Sequence, residues 1–192
     1  MELNYTKGFS DIWNGDYAYD KIVLALEHHF HTRLLGETRY RIEAGRINAD
    51  VPFNRLFTGT SFASLTLPVS SSAFRTMENH EFLSDRFVHI YLRHDFKSLL
   101  FKTNKFQPEI TIEHNIAFGS LNSPELHQGI EFKTLEKGFF EAGLIVDNIL
   151  RFNYVNLGYV GVGVGFFYRY GPNALPTFNE NKLLSVTTSF QF

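Results

Sequence analysis

The sequence contains no cysteine among its 192 residues. This absence excludes disulfide frameworks, zinc sites built from thiolates and thiol nucleophiles. Charged residues make up only 20% of the chain, and the formal net charge is −2. The chain therefore has neither a polybasic surface for nucleic acid nor an acidic tail.

Long apolar runs are also absent. The longest apolar stretch, 157–168, is interrupted by four glycines and is shorter than the roughly 18–20 residues of a membrane-spanning helix. The first residues contain neither a basic nor an apolar segment, so no signal peptide is expected. The chain is expected to be either cytosolic or a mature or truncated piece of an exported protein.

Aromatic residues, in contrast, are abundant. They make up 16% of the chain, and 21 residues are phenylalanine, which is about twice the usual aromatic fraction. This content excludes intrinsic disorder. The length suits one domain or part of a larger one.

Apolar and polar residues alternate along most of the chain, whereas helical periodicity is hard to find. Alternation is typical of β-strands with one apolar and one polar face. The pattern predicts about eight strands, longer than the usual five to six residues. They lie near 2–9, 21–30, 37–44, 88–96, 110–118, 140–146, 160–169 and 184–192.

The links between these strands alternate in length. Short links are expected near 31–36, 97–106 and 147–152, and longer ones near 10–16, 48–84, 119–136 and 171–182. Short turns at one end of a sheet and long loops at the other are typical of bacterial outer-membrane barrels. We therefore predict that 1–192 is an all-β, antiparallel transmembrane β-barrel segment, with a long outer or lumenal loop at about 48–84.

The chemistry of the two strand faces agrees with this prediction. The apolar face continues for about five alternate positions per strand, close to the ~25 Å lipid-facing band of such barrels. Its ends carry aromatic residues, as membrane interfaces do, and the opposite face carries charges of both signs. A soluble β-sandwich binding domain also alternates and stays open as an alternative.

The end of the chain carries a second membrane indication. Phe190 and Phe192 are the last aromatic residues of a final alternating strand. This pattern resembles the C-terminal signal read by the outer-membrane assembly machinery. We therefore expect the bacterial outer membrane as the location, with its lipid and that machinery as partners.

Four segments carry a resemblance to a known family: 45–56 (GRINADVPFNRL), 73–86 (AFRTMENHEFLSDR), 141–150 (EAGLIVDNIL) and 167–176 (FYRYGPNALP). They resemble the C-terminal barrel region of a family of Bacteroidota outer-membrane proteins. Those proteins carry a carboxypeptidase-regulatory-like domain ahead of a barrel of uncharacterised function. The resemblance implies the same arrangement here.

A more distant resemblance depends on Phe74-Arg75-Thr76-Met77 within the long loop, which five predicted strands follow. The chain here resembles outer-membrane assembly factors of the BamA and two-partner-secretion type. Their sixteen-stranded barrels fold a loop with a Val-Arg-Gly-Phe/Tyr-like motif into the lumen, and five strands follow that loop. The motif glycine is missing here. The resemblance implies the C-terminal half of a sixteen-stranded barrel, with the missing N-terminal strands as a partner.

Glycines leave the predicted lumen face nearly bare along two strands, which suits the close approach of another segment. We predict that the loop at 48–84 folds inside and that Arg75 pairs with Glu113 or Glu141. A buried arginine there needs a carboxylate partner. A solvated Arg75 on an outer loop is the alternative.

Two clusters raise the question of metal binding or catalysis. Glu27, His29 and His31 share one strand face and are ligand types that zinc accepts, but such polar residues are common at membrane interfaces. Ser84, Asp85 and nearby His80 are the residue types that form a hydrolase active site. Loop and turn formation also explains the presence of these residues. We predict no cofactor, no metal and no catalysis.

The predicted function is an outer-membrane barrel module that is structural or transport/assembly-like. Three alternatives stay open. They are a complete eight-stranded barrel with an adhesion or stabilising role, an outer-rim barrel hydrolase and a soluble β-sandwich binding domain. No residue pattern identifies a substrate or cargo.

Overall fold

The computed structural model of the chain describes residues 1–10, 17–33, 35–59, 72–97, 106–154 and 158–191. These residues form eight strands and two short 3-10 helices, Phe53–Arg55 and Pro124–Leu126, and contain no α-helix. The strands are β1 (Glu2–Gly8), β2 (Tyr19–His31), β3 (Glu37–Ile47), β4 (Arg86–Asp95), β5 (Glu109–Ser120), β6 (Phe139–Tyr154), β7 (Gly158–Tyr170) and β8 (Lys182–Gln191). In the part of the chain that is described, no helix is long and apolar enough to cross a membrane.

The strands form one antiparallel sheet in which each strand pairs with the next along the chain. The prediction of an all-β antiparallel fold with eight strands is confirmed. Within the described residues β1 and β8 do not pair with each other, so the sheet is open at both edges.

The predicted short link at 147–152 is wrong, because β6 continues through it to Tyr154. The pairing of β6 with β7 shifts register between Val146 and Leu150, and Asn148 has a φ of 57°. A bulge inserts unpaired residues and breaks the alternation of faces. The interrupted alternation was indistinguishable from a turn in the sequence.

The sheet has an outer face that is apolar and an inner face that combines buried charged residues with buried apolar ones such as Phe87 and Phe139. We call inner the face that contacts loop residues 72–85, and outer the opposite one. Large apolar side chains on the outer face are exposed, for example Leu26 at 45% and Leu184 at 63%. The others include Leu3, Tyr5, Ile22, Leu24, Phe30, Ile42, Val88, Leu92, Ile112, Phe118, Leu144, Leu150, Phe152, Val164, Phe166, Tyr170 and Val186.

The hydrophobic core lies between the inner face and the described parts of the connection from β3 to β4. One cluster surrounds Phe57, Leu83 and Phe87, and a second contains Phe74 and Phe139. The protein therefore buries apolar surface where the connection covers the sheet, while the apolar side chains of the outer face stay exposed.

Candidate functional site

The candidate site is the segment 72–85, here called the docked segment, together with the inner face beneath it. Phe74, Met77 and Phe82 are each no more than 1% exposed. The Phe139 ring on β6 packs against two of them, with ring centres 5.4 Å from Phe74 and 5.8 Å from Phe82. These apolar side chains hold the segment on the sheet, because each fully buried Phe or Met contributes about 1.5–3 kcal/mol.

Glu141 on β6 is the centre of polar contact between the sheet and the docked segment. Its carboxylate is fully buried and accepts hydrogen bonds from the backbone N–H of Arg75 at 2.9 and 3.0 Å. It also accepts from the backbone N–H of Thr76 at 2.5 Å and the Thr76 hydroxyl at 2.6 Å. The Asn115 amide on β5 donates to it at 3.0 Å. One carboxylate therefore accepts hydrogen bonds from the donors of two consecutive residues of the docked segment, Arg75 and Thr76.

The Arg75 side chain is 3% exposed, so it is not a solvated outer-loop arginine. Its guanidinium carbon lies 5.5 Å from the centre of the Phe167 ring. Burial lowers the pKa of the guanidinium, whereas the charges of Glu113 and Glu141 act to raise it. The structure therefore places Arg75 and both predicted carboxylates in one electrostatic cluster, although the contact to Glu141 runs through the backbone of Arg75.

Glu113 on β5 has a second cation close by. The Arg93 guanidinium on β4 donates to its carboxylate at 2.5 Å. Glu113 is 3% exposed, and a charge at that depth requires compensation. Arg93 provides this compensation because β4 and β5 are direct neighbours, with Arg93 opposite Glu113. The charge of Arg75 on the docked segment provides it as well.

A buried ion pair at the other side of the docked segment was not foreseen from the sequence. The fully buried Arg169 on β7 donates to both carboxylate oxygens of Glu81, at 2.7 and 3.0 Å. Lys133 donates to the same carboxylate at 3.0 Å. Because these residues are distant in sequence, no local spacing could have indicated the pairing.

Acid should weaken this pairing. Burial acts to raise the pKa of Glu81, but hydrogen bonds from Arg169 and Lys133 outweigh it and hold the pKa below its usual 4.5. A carboxyl with a depressed folded-state pKa stabilises the fold at any pH above its unfolded value, and this contribution is lost as pH falls through the folded value. We expect Glu81→Gln to be destabilising at pH 7 and nearly neutral well below pH 4.5.

Urea unfolding from pH 7 to pH 3 tests this expectation. Glu78→Gln is the matched control, because Glu78 is an exposed carboxylate of the same segment and its replacement should cost little at any pH. A gap between wild type and Glu81→Gln that stays constant over the whole range would contradict the assignment.

His89 on β4 is a buried polar group within an aromatic cluster. It is 3% exposed, and its ring centre lies 4.2 Å from Phe87 and 5.3 Å from Phe74. Neither ring nitrogen has a hydrogen-bond partner among the described residues. An unpaired buried polar group costs about 1–3 kcal/mol.

We therefore expect His89→Leu to raise the free energy of unfolding by about 1–2 kcal/mol, since it removes the unpaired nitrogens. His94→Leu on the same strand is the control, because the His94 ring bonds the Thr38 hydroxyl at 2.8 Å and should lose stability instead. Urea unfolding measures both variants, and a loss of stability in His89→Leu would contradict the expectation.

The other sequence candidates lie apart from the docked segment. Glu27, His29 and His31 are on β2, where Arg41 donates to Glu27 at 3.1 Å. In the described part of the chain no three His, Asp or Glu residues are grouped so as to hold a metal ion.

The hydrolase candidates are close in sequence but are not joined by hydrogen bonds. His80 is exposed with a φ of 62°, whereas Ser84 and Asp85 are buried. Asp85 accepts from the backbone N–H of Asn122 at 2.9 Å. Within the described residues this arrangement supports the loop and forms no Ser-His-Asp geometry.

Phe190 lies in β8, although its side chain falls outside the described residues, as does all of Phe192. The role of these two residues as an assembly signal stays a prediction. In chemical terms, the described site is a set of paired charges that anchors one loop segment.

A comparison with known protein families identifies the chain. The model of a family described as a family of unknown function (DUF5686), C-terminal domain, matches residues 1–134. No curated protein and no solved structure matches the chain. The match covers more than half of the chain and agrees with the prediction of a family of uncharacterised function. The chain therefore belongs to the DUF5686 family and carries its C-terminal domain.

Proposed function

We propose that the chain is an outer-membrane β-barrel module with a structural or transport/assembly-like role and no catalysis of its own. The observation that supports this is the exposed apolar outer face, which extends across all eight strands. Soluble monomers rarely expose apolar patches above a few hundred Å². Lipid is the partner that covers such a face on a β-sheet whose other face carries the charged side chains.

The lengths of the strands fit this role. An 11-residue strand such as β3 extends about 36 Å at roughly 3.3 Å per residue. Tilted by about 40°, it spans about 28 Å along the membrane normal, enough for the ~25 Å apolar band. The two longest connections, 48–85 and 121–138, lie at the end of the sheet that we assign to the extracellular side. The connection 96–108 at the opposite end is longer than 9–18 and 171–181, so the predicted division into short and long links holds only for those two.

The open sheet supports the finer proposal of a half-barrel. In the described residues both β1 and β8 present an unpaired edge, and such edges require covering. We propose that further strands close the sheet into a larger, sixteen-stranded barrel. The docked segment precedes five strands, β4 to β8, as in the BamA-type relationship proposed from the sequence.

The remaining proposals follow from the family resemblance. We propose a Bacteroidota outer-membrane protein in which a carboxypeptidase-regulatory-like domain precedes the barrel. The final strand, with Phe190 and Phe192, would be the segment that the assembly machinery reads. Each of these proposals requires that the outer face contacts lipid.

Two matched substitutions test the membrane assignment. Leu26 and Ile22 lie on the same face of β2 and are 45% and 47% exposed, but Leu26 is near the middle of the strand. Leu26→Arg should cost about 2–4 kcal/mol of stability in lipid vesicles, and Ile22→Arg only about 0–1 kcal/mol.

Urea unfolding of the vesicle-inserted protein provides the measurement, with dilution into plain buffer in parallel. Equal costs for the two variants would contradict lipid contact, because an ordinary apolar interface has no dependence on membrane depth. A soluble, folded species in plain buffer would contradict the membrane assignment as a whole.

A further inference from the structure

Charged side chains on the outer face are restricted to one end of the sheet. Of the Asp, Glu, Lys and Arg residues in the described strands, those that share the outer face are Lys7, Asp20, Arg46, Arg86 and Lys182. All five lie at the end that carries the long connections, and four of them are cations. The outer face thus has a mainly positive border at the end of the strands that we assign to the extracellular side.

Two of these cations lie directly opposite each other. Arg46 on β3 and Arg86 on β4 are cross-strand partners, and both are exposed. Like charges in this position destabilise a sheet. The Arg86 side chain donates to Asp85 at 3.3 Å and also to Asn122, whereas the Arg46 guanidinium makes no hydrogen bond or ion pair with any described residue. An anion between the two guanidinium groups would remove the repulsion.

An apolar groove of about 580 Å³ begins at these two arginines. Ala44, Val88 and Phe118 are among the residues that line it. Three acidic groups are relevant here, of which Asp85 is the one already paired with Arg86. Glu136 also lines the groove, and Asp20 is already engaged by the Asn48 amide at 2.9 Å and Lys7 at 3.8 Å.

We infer that Arg46 and Arg86 bind the phosphate group of a phosphorylated lipid whose acyl chain lies in the groove lined by Ala44, Val88 and Phe118. This inference rests on the proposed function, because it places the groove against lipid. Arginine matches phosphate with two parallel N–H donors, which makes such contacts strong. The apolar lining favours a lipid over free phosphate.

The test compares lipid binding by the full protein in neutral detergent micelles. The probes are bisphosphorylated lipid A and the same lipid with its phosphates removed. We expect wild type to bind the phosphorylated form about tenfold more tightly. Arg46→Gln/Arg86→Gln should lose this preference. Lys182→Gln, which removes a cation from the same border outside the groove, should retain it.

Three results would overturn the inference. They are a preference that survives the double substitution, a preference that Lys182→Gln removes equally, and displacement of the lipid by millimolar inorganic phosphate with no contribution from the acyl chains. Failure of the full protein, with the proposed additional strands present, to fold in micelles would contradict the proposed function as well. A protein that folds in micelles without a phosphate preference would contradict this inference alone.

Discussion

Replacing Glu141 with glutamine should destabilise the folded protein by about 3 kcal/mol. The buried carboxylate accepts from two backbone N–H groups, a hydroxyl and an amide. The substitution places an NH₂ donor against donors and removes a negative charge beside Arg75. Unpaired buried donors cost about 1–3 kcal/mol each, and a buried charge without its partner costs more.

Two measurements check this result. Urea unfolding in detergent micelles gives the loss of stability, and trypsin cleavage after Arg75 reports release of the docked segment. Glu131→Gln serves as the control, because Glu131 is an exposed carboxylate. Wild-type stability together with wild-type protection of Arg75 would show that the segment docks without this carboxylate.

Breaking the second anchor should have a comparable effect. Arg169→Met leaves the nearly buried Glu81 with Lys133 as its charged partner and the backbone N–H of Glu78 as a further donor. Removal of one member of a buried ion pair costs about 3–5 kcal/mol. The remaining Lys133 contact should keep the cost near the lower end of that range.

A double-substitution cycle separates pairing from packing. Arg169→Met/Glu81→Leu replaces both charges by apolar groups and should recover much of the loss, because neither charge is left buried alone. Arg55→Met is the control, since Arg55 is exposed. Additive losses in the double variant would mean that Arg169 acts through packing against Phe82 and Phe139 rather than through Glu81.

The strands could be predicted from the sequence because their information is local. Tyr40 and Ile42 alternate with charged neighbours, and period-two alternation specifies an extended segment with two different faces. The same alternation assigned the apolar residues to one face. It failed at Asn148, because a bulge and a turn interrupt the pattern in the same way.

The candidate site was only partly predictable. Arg75, Glu113 and Glu141 were selected because buried charges require partners. The sequence did not indicate that the backbone of Arg75 would contact Glu141. It also gave no sign of the contact between Arg169 and Glu81, because such contacts depend on how a long loop folds back.

The sequence by itself therefore determined the number of strands, their antiparallel order and the separation of apolar from polar side chains, since each of these depends on neighbouring residues. Only the tertiary structure decided which residues of the long connection lie on the inner face and which charges pair there. It also decided that, within the described residues, the sheet stays open between β1 and β8. These features depend on contacts between residues far apart in the chain, which no local pattern encodes.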